Sequence, residues 1–157
     1  MAQPMGRSRL SITHHIARQA ALIAAAIAVA AGGSATAQTG PITTFSGLIY
    51  QSLRDGDGDT PTANDMVRVN YKGMLEDGTV FDSSYDRHQP AQFAVLRVIP
   101  CWTEALQMMR VGGKARLTCP PNIAYGDRGS RGTIPPNATL TFEVELLAVI
   151  PAPPAPD

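Results

Sequence analysis

The chain has 157 residues, with 13 Lys and Arg balanced by 13 Asp and Glu, so it presents no net charge to a polyanion. That balance argues against a nucleic-acid or anionic-lipid surface. Three histidines and two cysteines are too few for a His-rich metal site or a conventional zinc cluster, and no cofactor motif is present.

Residues 1–20 carry Arg7, Arg9 and Arg18 and no acid, and Ala20 to Ala31 is an apolar run too short to span a bilayer comfortably. Gly32-Gly33 and Ala35-Thr36-Ala37 then make a small-residue exit. This order predicts a secretory signal over residues 1–37, cut after Ala37, with an uncleaved anchor as the competing reading. Cleavage removes His14, His15 and the three arginines, leaving a mildly acidic single domain whose one imidazole is His88. The expectation is an exported, periplasmic protein with no membrane attachment after cleavage.

Residues 38–46 read as a polar linker or frayed end. Leu48 to Leu53 reads as a strand, followed by the turn signal Asp55-Gly56-Asp57-Gly58-Asp59. DGDGD is half of a calcium loop, but the twelfth position from Asp55 is Met66 rather than Glu, so an acidic turn is the better reading. Met66 to Tyr71 alternates as a half-buried strand, and Glu76-Asp77-Gly78 predicts a hairpin into a return strand starting at Thr79–Phe81. A polar excursion from Asp82 to Pro90 precedes Gln92 to Val95.

Pro100 suits a first helical turn, and Trp102, Ala105, Leu106 and Met109 form one apolar stripe, with Gly112-Gly113 as the stop. Lys114 to Cys119 alternates as a strand and Pro120-Pro121 ends it. Residues 122–137 read as loop, and Leu140, Phe142, Val144 and Leu146 as the inward side of the last strand. The Asn137-Ala138-Thr139 sequon is read as accidental, and residues 151–157 as an extended Pro-rich tail. Several antiparallel strands with one short helix across a face make an α+β domain over residues 47–150.

The side chains beside these turns are mostly aromatic or branched: Tyr71, Phe81, Ile99, Trp102, Tyr125, Ile134 and Phe142, with Asp82 as the acid at their edge. Such a set suits holding a small apolar group such as a proline ring. Ser83, Ser84, Cys101 and Cys119 are nucleophile candidates in name, but His88 is the lone imidazole and lies in a polar loop, so a nucleophile–base pair is disfavoured. An exported chain with two cysteines permits a disulfide, yet both sit among apolar residues where a free buried thiol is ordinary. Spacing does not decide between the two, and packing is the preferred reading.

The stretches VRVNYKGMLEDGTVFDSSYDR, QFAVLRVIPCWTEALQMMRVGGKARLTCPP and IAYGDRGSRGTIPPNATLTFEVELL carry a resemblance. From about Gly47 to Val149 the chain resembles the FKBP-type peptidyl-prolyl cis-trans isomerases. VIP before the Trp is similar to the bacterial exported, macrophage-infectivity-potentiator branch. The resemblance implies a twisted antiparallel sheet wrapped around a short helix, and an isomerase acting on proline-containing polypeptides, with macrolide inhibitors as candidate ligands. It implies aromatic walls at Tyr71 and Phe81, the pocket acid at Asp82 and a partner for it at Arg87. Val98 and Ile99 match the pair whose second backbone N–H binds a ligand carbonyl. Trp102 matches the floor, Tyr125 the hydroxyl donor at the rim, and Ile134 and Phe142 further apolar walls.

Several positions depart from the family pattern. Cys101 stands where glycine usually precedes the Trp, and is expected to narrow the entrance or strain the helix start. Ala91 replaces an aromatic wall, so that side should be more open; Ser130 and Thr133 replace bulkier loop residues. The helical dimerisation arm of the infectivity-potentiator type does not precede Gly47, so a monomer is the default expectation. The rival from another class is a non-catalytic module or chaperone that holds proline segments in the same groove.

Overall fold

The computed structural model describes residues 40–153; the expected signal segment 1–37 and the last residues of the Pro-rich tail lie outside them. Seven strands appear among the described residues: β1 Ile42–Thr43, β2 Ile49–Arg54, β3 Met66–Met74, β4 Val80–Ser83, β5 Ala91–Ala94, β6 Lys114–Cys119 and β7 Leu140–Ile150. Among the same residues a single α-helix, α1, spans Pro100–Leu106. The sheet runs β1-β2-β6-β7-β3-β4, with β5 also paired to β3, and every pairing is antiparallel.

The alternation in the sequence explains which face is buried. In β3, Val67, Val69 and Tyr71 point one way; in β6, Ala115, Leu117 and Cys119; in β7, Leu140, Phe142, Val144 and Leu146, all buried. Register lines them up in rows: Leu117 opposite Phe142 and Phe142 opposite Gly73, then Ala115 opposite Val144 and Val144 opposite Tyr71. α1 covers this face with Cys101, Trp102, Ala105 and Leu106. On the outer face Arg116 faces Glu143 across the strands and pairs with it at 2.8 Å, while Lys114 reaches the same carboxylate at 3.5 Å. These exposed pairs fix register more than they stabilise, since each contributes only about 0–1 kcal/mol.

β4 and β5 share one edge of β3. Lys72 to Met74 pairs with β4, and Met66 to Val69 with β5. The polar excursion between them leaves the sheet, held at its root by Ser84, whose N–H donates to the Tyr71 carbonyl (3.0 Å) and whose hydroxyl accepts the Tyr71 N–H (2.9 Å). This anchor sets Arg87 and Asp82 beside Tyr71.

Three expectations need correction. The residues read as linker contain β1, which pairs Ile42 with Tyr50 and Thr43 with Ile49. The helix stops at Leu106 rather than continuing to Met109, because Met108 and Met109 donate to carbonyls three residues back, a tightened last turn. Val111 then donates to Asp59 and Gly112 to Leu146 (2.9 Å), which draws the chain out toward β6. Gly112, at φ 89°, therefore shapes the turn into β6 rather than capping the helix.

The third correction concerns the cysteines. Cys101 and Cys119 are joined as a disulfide, with Cα atoms 5.8 Å apart, and both are fully buried. Neither apolar surroundings nor spacing could reveal that the first turn of α1 lies directly over the end of β6. Cys101 therefore turns away from the entrance it was expected to narrow. Its backbone is relaxed too, for among described non-glycine residues only His88 and Asn137 have positive φ.

Candidate active site

Between α1 and the sheet lies a cleft of about 430 Å³. Its floor is Trp102, nearly buried, whose indole meets the edges of Tyr71, Phe93 and Phe142 at centroid distances of 5.2, 5.5 and 5.4 Å, each close to perpendicular. Edge-to-face pairs of this kind contribute about 0.5–1.5 kcal/mol beyond area burial, so the floor is rigid. The indole N–H is buried and meets no acceptor among the described residues, an unspent donor.

Phe81 forms the outer wall, edge-on to Phe142 at 5.7 Å. That contact exists because position 73 is glycine. A Cβ on Gly73 would lie 2.6 Å from Phe81 Cζ and 2.9 Å from Phe142 Cε1. Close approach of two rings over a strand is one of the few roles glycine has inside a sheet.

Opposite, Val98 and Ile99 line the cleft where a 3-10 turn (Val95–Arg97) hands over to α1. Pro100 at the first helical position has no N–H to offer, and the carbonyl of Ile99 accepts from Trp102 and Thr103. The Ile99 N–H makes no hydrogen bond among the described residues. Tyr125 stands on the loop after β6, 41% exposed, its hydroxyl likewise without a partner there. The loop is held beneath it by Gly126 donating to Pro121 and Asn137 donating to Gly126 (2.8 Å).

Asp82 is the carboxylate of the cleft. It accepts hydrogen bonds from the Tyr71 hydroxyl on one oxygen and from Arg87 on the other, and Arg87 also donates to the Tyr71 hydroxyl (3.0 Å). Burial works to raise the Asp82 pKa, but the Tyr71 and Arg87 hydrogen bonds and the Arg87 charge outweigh it, and the carboxyl is held below its usual range. Burial, aided by the Asp82 charge, pushes the Tyr71 and Tyr125 hydroxyls up. At neutral pH the site thus holds an ionised Asp82 and two protonated tyrosines.

A depressed carboxyl contributes stability above its unfolded value and loses it as pH falls through the folded one. The stability that Asp82 contributes is expected to be constant across mildly acid to mildly alkaline pH and to be lost only as pH falls below the ordinary 3.8 of an aspartate. A melting-temperature difference between wild type and Asp82→Asn that vanishes well above that value would contradict this.

The structure gathers Tyr71, Phe81, Asp82, Val98, Ile99, Trp102, Tyr125 and Phe142 around one cleft, with Arg87 behind Asp82. Ile134 is absent from that lining; it is buried in the same core cluster as Trp102 and Phe142, borders a neighbouring hollow of the 128–136 loop, and exchanges backbone hydrogen bonds with Ser130 (both 2.9 Å). Two lining residues went unread in the sequence, Phe93 and Arg97. Ala91 does not line the cleft, and the wall beside it is Phe93, two residues on along the same strand face. The nominal nucleophiles are spent: the Ser84 hydroxyl is a buried strand anchor, Ser83 accepts from the Asp86 N–H, and both cysteines are in the disulfide.

An antiparallel sheet packed against one short helix thus carries an aromatic-lined cleft with unpaired donors at two points on its rim. The chain matches the family model for the FKBP-type peptidyl-prolyl cis-trans isomerase over residues 58–147. It belongs to that family. It is 51% identical over 118 residues to the isomerase FkpA of Escherichia coli strain K12, covering 75% of this chain and 43% of that protein. It is 50% identical over 107 residues to the isomerase Mip of Coxiella burnetii, covering 68% and 46%. The crystal structure of Escherichia coli FkpA superposes with a TM-score of 0.71 at 50% identity, over 74% of this chain and 54% of that one. The chain spans about half the length of these relatives.

Proposed function

We propose that this chain is a peptidyl-prolyl cis-trans isomerase that assists the folding of exported proteins. The observation that carries the reading is the cleft itself: an aromatic floor at Trp102, with the Ile99 N–H and Tyr125 hydroxyl unspent above it. Rotation about an X–Pro bond meets a barrier of about 18–20 kcal/mol from amide resonance, and no bond to carbon breaks. A nucleophile is therefore unnecessary.

The proline ring sits over Trp102 between Phe81, Phe93 and Phe142. Desolvation there disfavours the more polar planar amide relative to the twisted one. Ile99 and Tyr125 orient the flanking carbonyls, and donors placed for the twisted geometry supply binding that grows toward the transition state. Asp82 is a positioning residue. It holds Tyr71 and Arg87 and sets the local field, and it does not act as a base.

The test is cis-to-trans exchange of a proline peptide, followed by NMR or by a protease-coupled assay. Wild-type protein accelerates it, and Asp82→Asn lowers kcat/KM about tenfold, on the order of 1.4 kcal/mol, without unfolding the domain. No acceleration by wild type would sink the enzyme and leave a binding module. A macrolide that fills the same cleft is expected to inhibit competitively.

Export to the periplasm is supported by the basic–apolar–small order of residues 1–37 and by the buried disulfide, which belongs to an oxidising compartment. Cell fractionation checks this: protein confined to the cytosol, with free thiols, would refute it.

A further inference from the structure

Arg97 closes the 3-10 turn two residues before Ile99, is exposed, and lines the cleft. Among the described residues its guanidinium makes no ion pair, in contrast with Arg54, Arg87 and Arg116. Asp82 is the only other charged residue in the lining, and both its oxygens are taken, by Tyr71 and by Arg87. The Asp82 charge is thus already balanced by Arg87, and Arg97 is left as the uncompensated charge on the rim.

We infer that Arg97 makes the cleft selective for proline segments with an acidic side chain immediately beside the proline. This rests on the peptide-binding reading above and adds the substrate class. With the proline ring over Trp102 and a peptide carbonyl on the Ile99 N–H, the neighbouring side chain of the guest falls next to the residue two positions before Ile99. An Asp or Glu there gains a charge-assisted hydrogen bond from the guanidinium. A Lys or Arg there meets the one charge of the cleft that nothing neutralises.

The test is binding, so that it does not depend on turnover. Trp102 is the single tryptophan of the chain, and its emission reports occupancy of the floor. Two peptide series are titrated, one varying the residue before the proline and one the residue after it, each with Glu, Gln or Lys. Wild type is expected to bind the Glu peptide of at least one series roughly two- to fivefold more tightly than the Gln peptide at low salt, the range of an exposed ion pair. The Lys peptide binds more weakly than Gln, and the preference shrinks as salt is added.

In Arg97→Gln the Glu-to-Gln ratio falls to about one, and in Arg97→Glu it inverts, with melting temperature recorded for each variant. Equal binding of Glu and Gln peptides by wild type in both series overturns the inference while leaving the peptide site intact. A preference that survives Arg97→Gln overturns it equally. Failure of every peptide to bind would strike the peptide-binding reading itself, and this inference with it.

Discussion

Replacing Cys101 and Cys119 together by alanine is expected to lower the free energy of unfolding by about 3 kcal/mol. The cross-link closes a loop with a sequence separation of 18, and loop-closure entropy for that length removes roughly this much from the unfolded ensemble. The buried volume lost at two fully enclosed side chains adds to it. For a domain of this size the melting temperature should fall by roughly 10–20 °C. Denaturant melts of the double variant, and of wild type with and without reductant, measure it. A loss below about 1 kcal/mol would mean that the thiols rarely pair, and would weaken the case for an oxidising compartment.

Gly73→Ala is expected to separate stability from function. The new methyl collides with Phe81 and Phe142, and the two rings are not equally free to move. Phe142 is nearly buried and packed on Trp102, whereas Phe81 is only half-buried at the rim. Phe81 yields. Overpacking relieved by a rim side chain should cost about 1 kcal/mol of stability, the low end for such changes. Displacing the wall proposed to hold the proline ring should lower kcat/KM by about tenfold or more. Parallel melts and exchange assays decide it; full turnover with a large stability loss would mean Phe142 moved instead.

What the sequence made legible follows physical signals of short range. β6 was readable to the residue at Lys114–Cys119, because its alternation is regular and prolines stop it. The inward set of β7 was equally plain. The end of α1 was not, because Met109 keeps the helical spacing and is buried although it lies past the last helical residue. Burial produces the stripe, and the stripe alone does not report which backbone bonds are made.

The cleft divides the same way. Trp102, Tyr71 and Phe142 stood out as large apolar side chains at patterned positions. Phe93 sat in a recognised strand, but nothing in one sequence says that β5 shares an edge of β3 with β4 and so faces α1. Ile134 shows a similar limit: its burial in the core fits an apolar position, but its two-way backbone bridge with Ser130 is invisible in the residue string. Gly73 carried no signal at all, since its role is to leave space for two rings brought together from β4 and β7.

The order of strands has a consequence for how the molecule is assembled. β7, the last strand among the described residues, lies between β6 and β3 and pairs with both along most of its length. A chain delivered from its N-terminus, by a ribosome or through a channel, therefore carries two unpaired inner edges until residues 140–150 arrive. The helix and the cysteines are already out by then, but the surface they close upon does not exist. Truncation before Leu140 should give no partial domain, only a species that exposes its apolar face and aggregates. Final collapse therefore waits on β7, and the arrival of residues 140–150 is the event that commits this domain to fold.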